Sequence, residues 1–363
     1  MIPRPALRAL GAVVLTGLGL ARLAAAAGEL PRKGGSRSET YPGIAVEYGS
    51  VAAPGGPRLR TIVTKPAGAS GRLPALFLAG WLSCDSVEAP DGASDSTSAT
   101  IRGLASRSGM LFYRVDKAGV GDSEGVCGET DFDAELAGYR AAFRQLRARA
   151  DVDPSRIFVF GWSNGGGFAP LVAEDAPVAG YVTAGGWVKT WFEHMMEIER
   201  RRMTLAGKAP GDVNEVMRKT AAFYVLYLNR GMTPAEIAKE RPELAGVWSD
   251  EPERQYGRPL AYYRQLQGLN LEEAWARVAV PVLAIHGEYD FIMSREDHER
   301  IVSIVNARRA GAARFVEVPG MDHVFARHAS AVEGMTRMGT GPFAVDALET
   351  ILAWLKEQTA PAK

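Results

Sequence analysis

Short apolar runs without alternation recur along the chain and predict buried strands. They occupy residues 73–79, 110–115, 156–160, 178–184, 280–285 and 314–318. Continuous apolar runs are typical of parallel strands covered on both faces. Most are followed by a glycine-rich turn and a helical stretch, such as residues 131–149, whose acidic start and arginine-rich end suit the helix dipole. The pattern predicts an α/β protein with a mostly parallel, doubly wound sheet.

Two earlier runs, residues 44–52 and 59–65, are rich in β-forming residues and flank the turn signal at 53–57. They predict an antiparallel hairpin that opens the sheet. The polar stretch 28–40 has no periodicity and predicts a linker with little fixed structure. The folded part is therefore expected to begin near Tyr41.

The short apolar runs that predict strands are absent between Trp187 and Val278. The sequence there has helical periodicity and is rich in Met and aromatic residues. Such a stretch is too long for a loop and too poor in strands to continue the sheet. It predicts a helical cap, residues 187–278, inserted into a core formed by residues 41–186 and 279–363. Most of its Met and aromatic side chains are expected to pack the cap's own core, and a minority to line a pocket.

The first 27 residues have the layout of a secretory signal peptide. Arg4 and Arg8 precede an apolar run at 9–20, and small residues at 24–27 offer a cleavage region. A membrane anchor is the alternative, but the run is shorter than the roughly 20 residues that span a bilayer, and Arg22 interrupts its continuation. The sequence predicts export to the periplasm or the medium, with no stable membrane anchor after cleavage.

Composition narrows the function classes. The chain has 363 residues, 47% of them hydrophobic and 23% charged, which is ordinary for a globular protein. Lys+Arg and Asp+Glu are equal at 42 each, so no net charge attracts the protein to nucleic acid or an anionic membrane. A small-molecule substrate is expected, and without ligands at zinc spacing we expect neither metal nor organic cofactor.

The sharpest motif is Gly-Trp-Ser-Asn-Gly around Ser163, between a predicted strand and a helical stretch. A serine at such a turn is strained and needs small neighbours, and its hydroxyl points out of the sheet. Ser163 is the predicted nucleophile, and the N–H of Asn164 at the helix start is an expected oxyanion donor. Ser123 lies in a second Gly-x-Ser-x-Gly match, but loop surrounds it and acidic residues flank it, so we interpret it as structural.

A serine hydroxyl needs a base to remove its proton, and the chain has five histidines. His323 follows the last predicted strand and is the predicted base. His194, His298 and His328 are interpreted as exposed or packing residues. His286 ends a strand and is expected to brace the loop that holds the acid.

Asp290 follows the penultimate strand, so its loop is expected at the same edge of the sheet as Ser163 and His323. It is the predicted acid. Glu288 is the nearest rival. Asp322 ranks third, because adjacent residues on a loop rarely face each other. The second oxyanion donor is expected from the loop after residues 73–79, with the N–H of Trp81 as candidate; the alternative is that Trp81 only walls the pocket.

The nucleophile turn, the His-Gly-x-x-Asp loop at 286–290 and the Gly-Met-Asp-His loop at 320–323 resemble the α/β-hydrolase superfamily, over roughly residues 44–355. Residues 114–123 resemble a turn in its esterase-like and serine aminopeptidase-like branches. The resemblance implies the α/β-hydrolase fold with an inserted cap. The oxyanion loop departs from many members, because Gly80-Trp81 replaces their His-Gly.

The resemblance also bears on the two cysteines, Cys84 and Cys127. An even count in an exported protein invites pairing, and two free, buried thiols are the alternative. In the resembled fold the third and fourth strands are neighbours, which would bring the cysteines to one edge and implies a disulfide.

Together these observations predict that the protein is an exported serine hydrolase with a Ser-His-Asp triad. A carboxylesterase acting on a small or apolar ester is expected, because the predicted cap is rich in Trp, Met and Phe. A serine peptidase or amidase is the runner-up. A ligand-binding protein that keeps the fold without turnover is the alternative of another class.

Overall fold

A computed structural model describes residues 28–33 and 39–360 of the chain. The predicted signal peptide, residues 1–27, lies outside the described residues. Among those described, the strands are β1 Ile44–Ala52, β2 Arg58–Pro66, β3 Leu73–Ala79, β4 Leu111–Val115, β5 Val152–Trp162, β6 Gly180–Ala184, β7 Arg254–Gln255, β8 Arg258–Pro259, β9 Val282–Gly287 and β10 Ala313–Val318.

The helices are α1 Ser96–Arg107, α2 Phe132–Arg147, α3 Asn164–Val172, α4 Trp191–Leu205, α5 Pro210–Tyr224, α6 Pro234–Glu240, α7 Leu260–Gln267, α8 Leu271–Ala276, α9 Arg295–Arg308, α10 Ala331–Thr336 and α11 Val345–Thr359. Short 3-10 turns occupy Cys127–Glu129 and Pro242–Val247, and a π-helical segment, Val225–Arg230, extends α5.

Eight strands form one sheet in the order β1-β2-β4-β3-β5-β6-β9-β10. β1 pairs antiparallel with β2, and β2 antiparallel with β4, whereas all later pairings are parallel. In the centre, Phe77 of β3 lies opposite Tyr113 on one side and Val159 on the other. The predicted hairpin and the mostly parallel sheet are confirmed.

Both faces of this sheet are covered by helices, which explains the continuous apolar runs. Alternate residues of β3 point to opposite sides: Phe77 packs with Tyr139 and Phe143 of α2, while Leu76 belongs to the core beneath α1 and α11. α2 forms as its sequence indicates, because Asp131 accepts the N–H of Ala134 at its start. The sheet is therefore doubly wound, as predicted.

The residues between β6 and β9, which we call the insertion, contain helices α4 to α8 and the short hairpin of β7 and β8. Thr190 and Thr233 each form a capping box that starts a helix, α4 and α6 respectively. Met203, Val213 and Met217 form a small apolar cluster within the insertion. The division of the chain into a core and a separate cap stays a prediction.

The stretch predicted to be a linker contacts the core at its described positions. Leu30 is buried, and the Lys33 N–H donates to Asp122 Oδ1 at 2.7 Å. The Glu39 carboxylate is fully buried and accepts hydrogen bonds from both terminal nitrogens of Arg114, at 2.6 and 2.7 Å. The expectation of little fixed structure is wrong at these positions, because their partners lie far along the chain, where local composition gives no sign of them.

Cys84 and Cys127 form a disulfide, with their Cα atoms 6.0 Å apart. It joins the loop after β3 to the turn that precedes α2. β3 and β4 are neighbours in the sheet, as the resemblance implied. No helix within residues 28–33 and 39–360 is long and apolar enough to cross a membrane.

Candidate active site

Ser163 lies at the tip of the turn from β5 to α3, with a φ of 58° and a ψ of −125°. Non-glycine residues rarely adopt this backbone conformation, and strain of this kind concentrates at functional sites. The turn is possible because its neighbours lack side chains: a Cβ on Gly165 would lie 2.1 Å from the Ala79 carbonyl oxygen, and one on Gly161 would lie 2.6 Å from that of Gly165. The local shape matches the sequence prediction for this serine.

The structure brings Ser163, His323 and Asp290 together at the carboxyl edge of the sheet. His323 Nε2 lies 2.8 Å from Ser163 Oγ, and His323 Nδ1 lies 2.7 Å from Asp290 Oδ2. In the tautomer that satisfies both contacts, Nδ1–H donates to Asp290 and the serine hydroxyl donates to Nε2. All three side chains are buried. They form one continuous chain of hydrogen bonds, although the residues are far apart in sequence.

The loop after β9 holds the Asp290 carboxylate in a fixed orientation. Its Oδ1 accepts the N–H groups of Ile292 and Met293, each at 2.9 Å. Burial alone would raise the pKa of Asp290, but the charge and hydrogen bond of His323 lower it to about 2. Burial alone would lower the pKa of His323, but Asp290 raises it above the ordinary value. The pair therefore favours an ionised carboxylate beside an imidazole that readily accepts a proton.

The two rival carboxylates lie elsewhere. Glu288 is exposed and accepts the N–H of Gly320 at 2.8 Å. Asp322 is buried and accepts the N–H groups of Val324 and Ala326 as well as bonding to His328. It orders the loop that carries His323, whose own ring nitrogens bond to Asp290 and Ser163 instead.

His286 and His298 have structural partners. His286 Nε2 faces the Met293 carbonyl at 3.3 Å, which braces the loop of Asp290 as predicted. His298 accepts the N–H of Gly186 at 2.9 Å, and its other ring nitrogen faces the Ser294 carbonyl at 2.8 Å. Both ring nitrogens of His298 are therefore occupied, which agrees with a packing role.

Ser123, in the second Gly-x-Ser-x-Gly match, is fully buried and does not line the cavity of Ser163. Its Oγ accepts the N–H of Arg60 at 2.8 Å, and the adjacent Asp122 pairs with the Arg60 guanidinium at 3.1 Å. Its interpretation as a structural loop residue agrees with these contacts.

The expected oxyanion donors, Asn164 and Trp81, both border the cavity that contains Ser163. Within residues 28–33 and 39–360, neither backbone N–H donates to a protein acceptor. The Asn164 side chain is fixed, because its amide donates to Tyr262 and its carbonyl oxygen accepts the Trp187 indole N–H at 3.1 Å. Two unpaired N–H groups beside a serine are suited to hold negative charge on an oxygen.

Two basic side chains that the sequence analysis missed support the loop of Trp81. Lys117 Nζ donates to the carbonyls of Trp81 and Ser83, the latter at 2.6 Å. Arg258 Nε, from β8 in the insertion, donates to the Leu82 carbonyl at 3.2 Å. Three consecutive carbonyls are thus held from outside the loop, beside the disulfide at Cys84. The position of Lys117 in the glycine-rich turn after β4 is the only sign of this in the sequence.

The cavity beside Ser163 has a volume of about 690 Å³. Apolar side chains from the sheet edge, α1, the insertion and the loop after β9 form most of its wall, among them Trp81, Ile101, Trp162, Ile198, Phe291 and Met293. Trp81 and Trp162 meet edge to face, with ring centroids 5.6 Å apart. In the part of the chain that the structure describes, no group of three or more His, Cys, Asp or Glu side chains is placed to hold a metal ion.

Solved structures with the same architecture show the fold. The chain matches a hypothetical protein from Pseudomonas aeruginosa with a TM-score of 0.56 and 17% identity, over 91% of this chain and 99% of the other. It matches the esterase Est1E from Butyrivibrio proteoclasticus, solved with ferulic acid, with a TM-score of 0.55 and 16% identity, over 85% and 98%. An esterase from Pyrococcus furiosus matches with a TM-score of 0.53 and 13% identity, over 92% and 98%. The fold is that of the α/β hydrolases.

The family follows from the sequence itself. Residues 94–327 match the family model of the serine aminopeptidases, S33. The chain belongs to this family of α/β hydrolases and is a hydrolase. No curated protein matches it by sequence.

Proposed function

We propose that this protein is an exported serine hydrolase that cleaves a carboxylic ester of a small or apolar substrate. The observation that carries the proposal is the hydrogen-bonded chain from Asp290 through His323 to Ser163. Nucleophilic hydrolases need this relation between nucleophile, base and acid, whatever fold carries it.

In the first half of the reaction, Ser163 Oγ attacks the ester carbonyl while His323 Nε2 takes its proton. The N–H groups of Asn164 and Trp81 hold the oxygen that becomes negative, and Asp290 stabilises the imidazolium that forms. His323 then returns the proton to the leaving alcohol. The products of this half are an acyl-serine and a free alcohol.

In the second half, His323 Nε2 takes a proton from a water molecule, which attacks the acyl-serine. The oxyanion forms in the same place, and its collapse returns the proton to Ser163 Oγ and releases the acid. Every proton and bond in the two halves is accounted for by side chains and backbone groups of the protein and one water molecule, so this reaction scheme uses no cofactor.

The apolar wall of the cavity supports an ester with an apolar acyl or alcohol part. Several structures of the same fold are named as esterases, one solved with ferulic acid and another an acetyl xylan esterase. In this proposal the insertion acts as a cap, because Trp191, His194 and Ile198 of α4 form one side of the cavity.

Export is part of the proposal. It rests on the signal-like sequence of residues 1–27 and on the disulfide, since disulfides persist in oxidising compartments.

The family name favours one alternative, a serine peptidase or amidase. An aminopeptidase must hold the ammonium group at the start of a peptide. Of the carboxylates along the cavity, Glu88 pairs with Arg60 and Asp95 caps α1. Asp85 accepts only from Ser83 among the residues that the structure describes. Under this alternative the ammonium group would lie near Asp85, and peptide amides would be cleaved faster than matched esters of the same acyl group.

Labelling with a fluorophosphonate tests the proposal. We expect one adduct on the folded protein, located at Ser163 by peptide mapping, absent from Ser163→Ala and present in Ser123→Ala. Ser123→Ala is a matched control because both serines lie in the same five-residue pattern. If the folded protein forms no adduct, the proposed mechanism is wrong and a ligand-binding role takes its place. If the adduct maps elsewhere, the assignment of Ser163 as the nucleophile is wrong.

The pH profile is a second expected result. His323 must be neutral to take the serine proton, and Asp290 raises its pKa above the ordinary 6.5. The value of kcat/KM, which reports the free enzyme, should therefore fall as the pH drops through a midpoint above 6.5. Hydrolysis of an uncharged ester across roughly pH 5 to 9 measures this limb. A midpoint below the ordinary value would contradict the assigned coupling.

A further inference from the structure

The wall that α4 contributes to the cavity contains polar groups that the reaction scheme does not use. Trp191 is the first residue of α4, and the capping box of Thr190 and Glu193 fixes the helix there. His194 follows three residues later and so lies on the same face of the helix. Both side chains line the cavity of Ser163 and are 2% exposed.

The indole nitrogen of Trp191 is buried and, among the described residues, has no hydrogen-bond partner. Burying an unpaired donor is unfavourable, so such groups in a binding cavity are candidates for a ligand contact. The ring cannot easily turn away, because it packs against Trp187 at 5.7 Å and Tyr263 at 5.0 Å between centroids. The donor is therefore held in place before any ligand arrives.

The imidazole of His194 lies against both indoles, 5.3 Å from Trp187 and 5.2 Å from Trp191. Its ring nitrogens bond to no protein group within residues 28–33 and 39–360, whereas both nitrogens of His298 are occupied. Burial, with Arg201 and His323 adding to it, lowers the pKa of His194 to about 3. The ring is thus neutral at working pH and offers one donor and one acceptor.

We infer that Trp191 Nε1 and the His194 imidazole form a polar subsite in the mostly apolar wall of the cavity, and that this subsite binds an uncharged hydroxyl group of the substrate. The inference rests on the proposed function and narrows its substrate to hydroxylated esters. The substrate hydroxyl oxygen accepts a hydrogen bond from the indole N–H. The same hydroxyl donates a hydrogen bond to the unprotonated imidazole nitrogen. A neutral histidine supplies no charge to hold a carboxylate or an ammonium group there.

Paired substrates test the subsite. One series consists of para-nitrophenyl phenylpropanoate and its derivatives with an ortho, meta or para hydroxyl group on the acyl ring. The other consists of benzyl phenylpropanoate and its derivatives with a hydroxyl group at the same positions of the benzyl ring. In the unchanged protein at least one isomer should exceed its parent ester in kcat/KM by on the order of 10-fold, since a site built around a hydroxyl rejects the analogue that lacks it. Trp191→Phe and His194→Phe should each bring that ratio close to one. The ratio is internal to each variant, so partial misfolding does not change it.

Trp248→Phe is the matched control. Trp248 lies in the insertion but outside this cavity, and its indole N–H donates to the Glu251 carbonyl at 2.7 Å. It should keep the hydroxyl preference of the unchanged protein. If the preference survives both α4 variants, or if Trp248→Phe removes it as well, the assigned subsite is wrong.

Binding separates this inference from the proposed function. The dissociation constants of the same ester pairs are measured by calorimetry on Ser163→Ala, with and without Trp191→Phe. Tighter binding of a hydroxylated ester that depends on Trp191 supports the subsite even if no turnover is found. Equal binding of every pair overturns the subsite, even if hydrolysis by Ser163 is established.

Discussion

Asp290→Asn is expected to lower kcat by on the order of 10⁴-fold with little change in the fold. The present carboxylate accepts the Nδ1–H of His323 at 2.7 Å and leaves Nε2 free to take the serine proton. An amide can offer its NH₂ to Nδ1 instead, which places the ring proton on Nε2 and removes the base. The backbone donors at Ile292 and Met293 bond to the other oxygen of Asp290, so the loop keeps its shape. Steady-state hydrolysis of the preferred ester measures the loss.

Glu288→Gln is the control for this prediction. Glu288 lies two residues earlier on the same loop and is exposed, where it accepts the N–H of Gly320. We expect its kcat to stay within about 3-fold of the unchanged protein, because surface substitutions away from the reacting groups have small effects. Equal losses in both variants would mean that loop distortion, and not the tautomer of His323, limits the reaction.

Glu39→Gln is expected to lower the free energy of unfolding by about 3–5 kcal/mol. The carboxylate and the Arg114 guanidinium are both fully buried, and Glu39 also accepts the Tyr41 hydroxyl. Glutamine keeps the size of the side chain but leaves the arginine charge uncompensated inside the protein, which is the costly way to break a buried pair. Urea denaturation followed by circular dichroism measures the change.

The same substitution at an exposed pair provides the comparison. Glu124 pairs with Arg58 at 2.6 Å, and their side chains are 44% and 49% exposed. Glu124→Gln should cost no more than about 1 kcal/mol, because water already screens this pair. Similar losses at both positions would show that burial does not set the strength of the Glu39 pair.

Most strands could be predicted because turn residues mark their ends. The prediction for residues 73–79 coincides with β3, and that for residues 44–52 coincides with β1. β5 is longer than the predicted 156–160, since it begins at Val152 and pairs there with Leu73. Asp153, Pro154 and Ser155 interrupt the apolar run without ending the strand.

The nucleophile turn could be predicted because its steric demand is local. Ser163 and Ser123 share a five-residue pattern, and the strand before and helix after the first one distinguish them. The partners of buried polar groups could not be predicted in this way. Glu39 pairs with Arg114, which lies 75 residues later in the sequence. The local sequence around either residue gives no indication of this partner.

The histidines illustrate the same limit. His194 and His298 are both buried, and the sequence analysis interpreted both as exposed or packing residues. Only the fold separates them, because one ring is satisfied by backbone groups and the other faces the cavity.

Arg258 limits how this fold can be recombined with others. It belongs to the short hairpin of β7 and β8 in the insertion, yet it donates to the carbonyls of Leu82 and Cys127, at 3.2 and 2.9 Å. A chimaera that exchanges the whole insertion would remove a support of the loop that carries Trp81. One that exchanges only α4 to α6 and keeps the hairpin would retain it. The natural crossover point for grafting therefore lies inside the insertion and not at its ends.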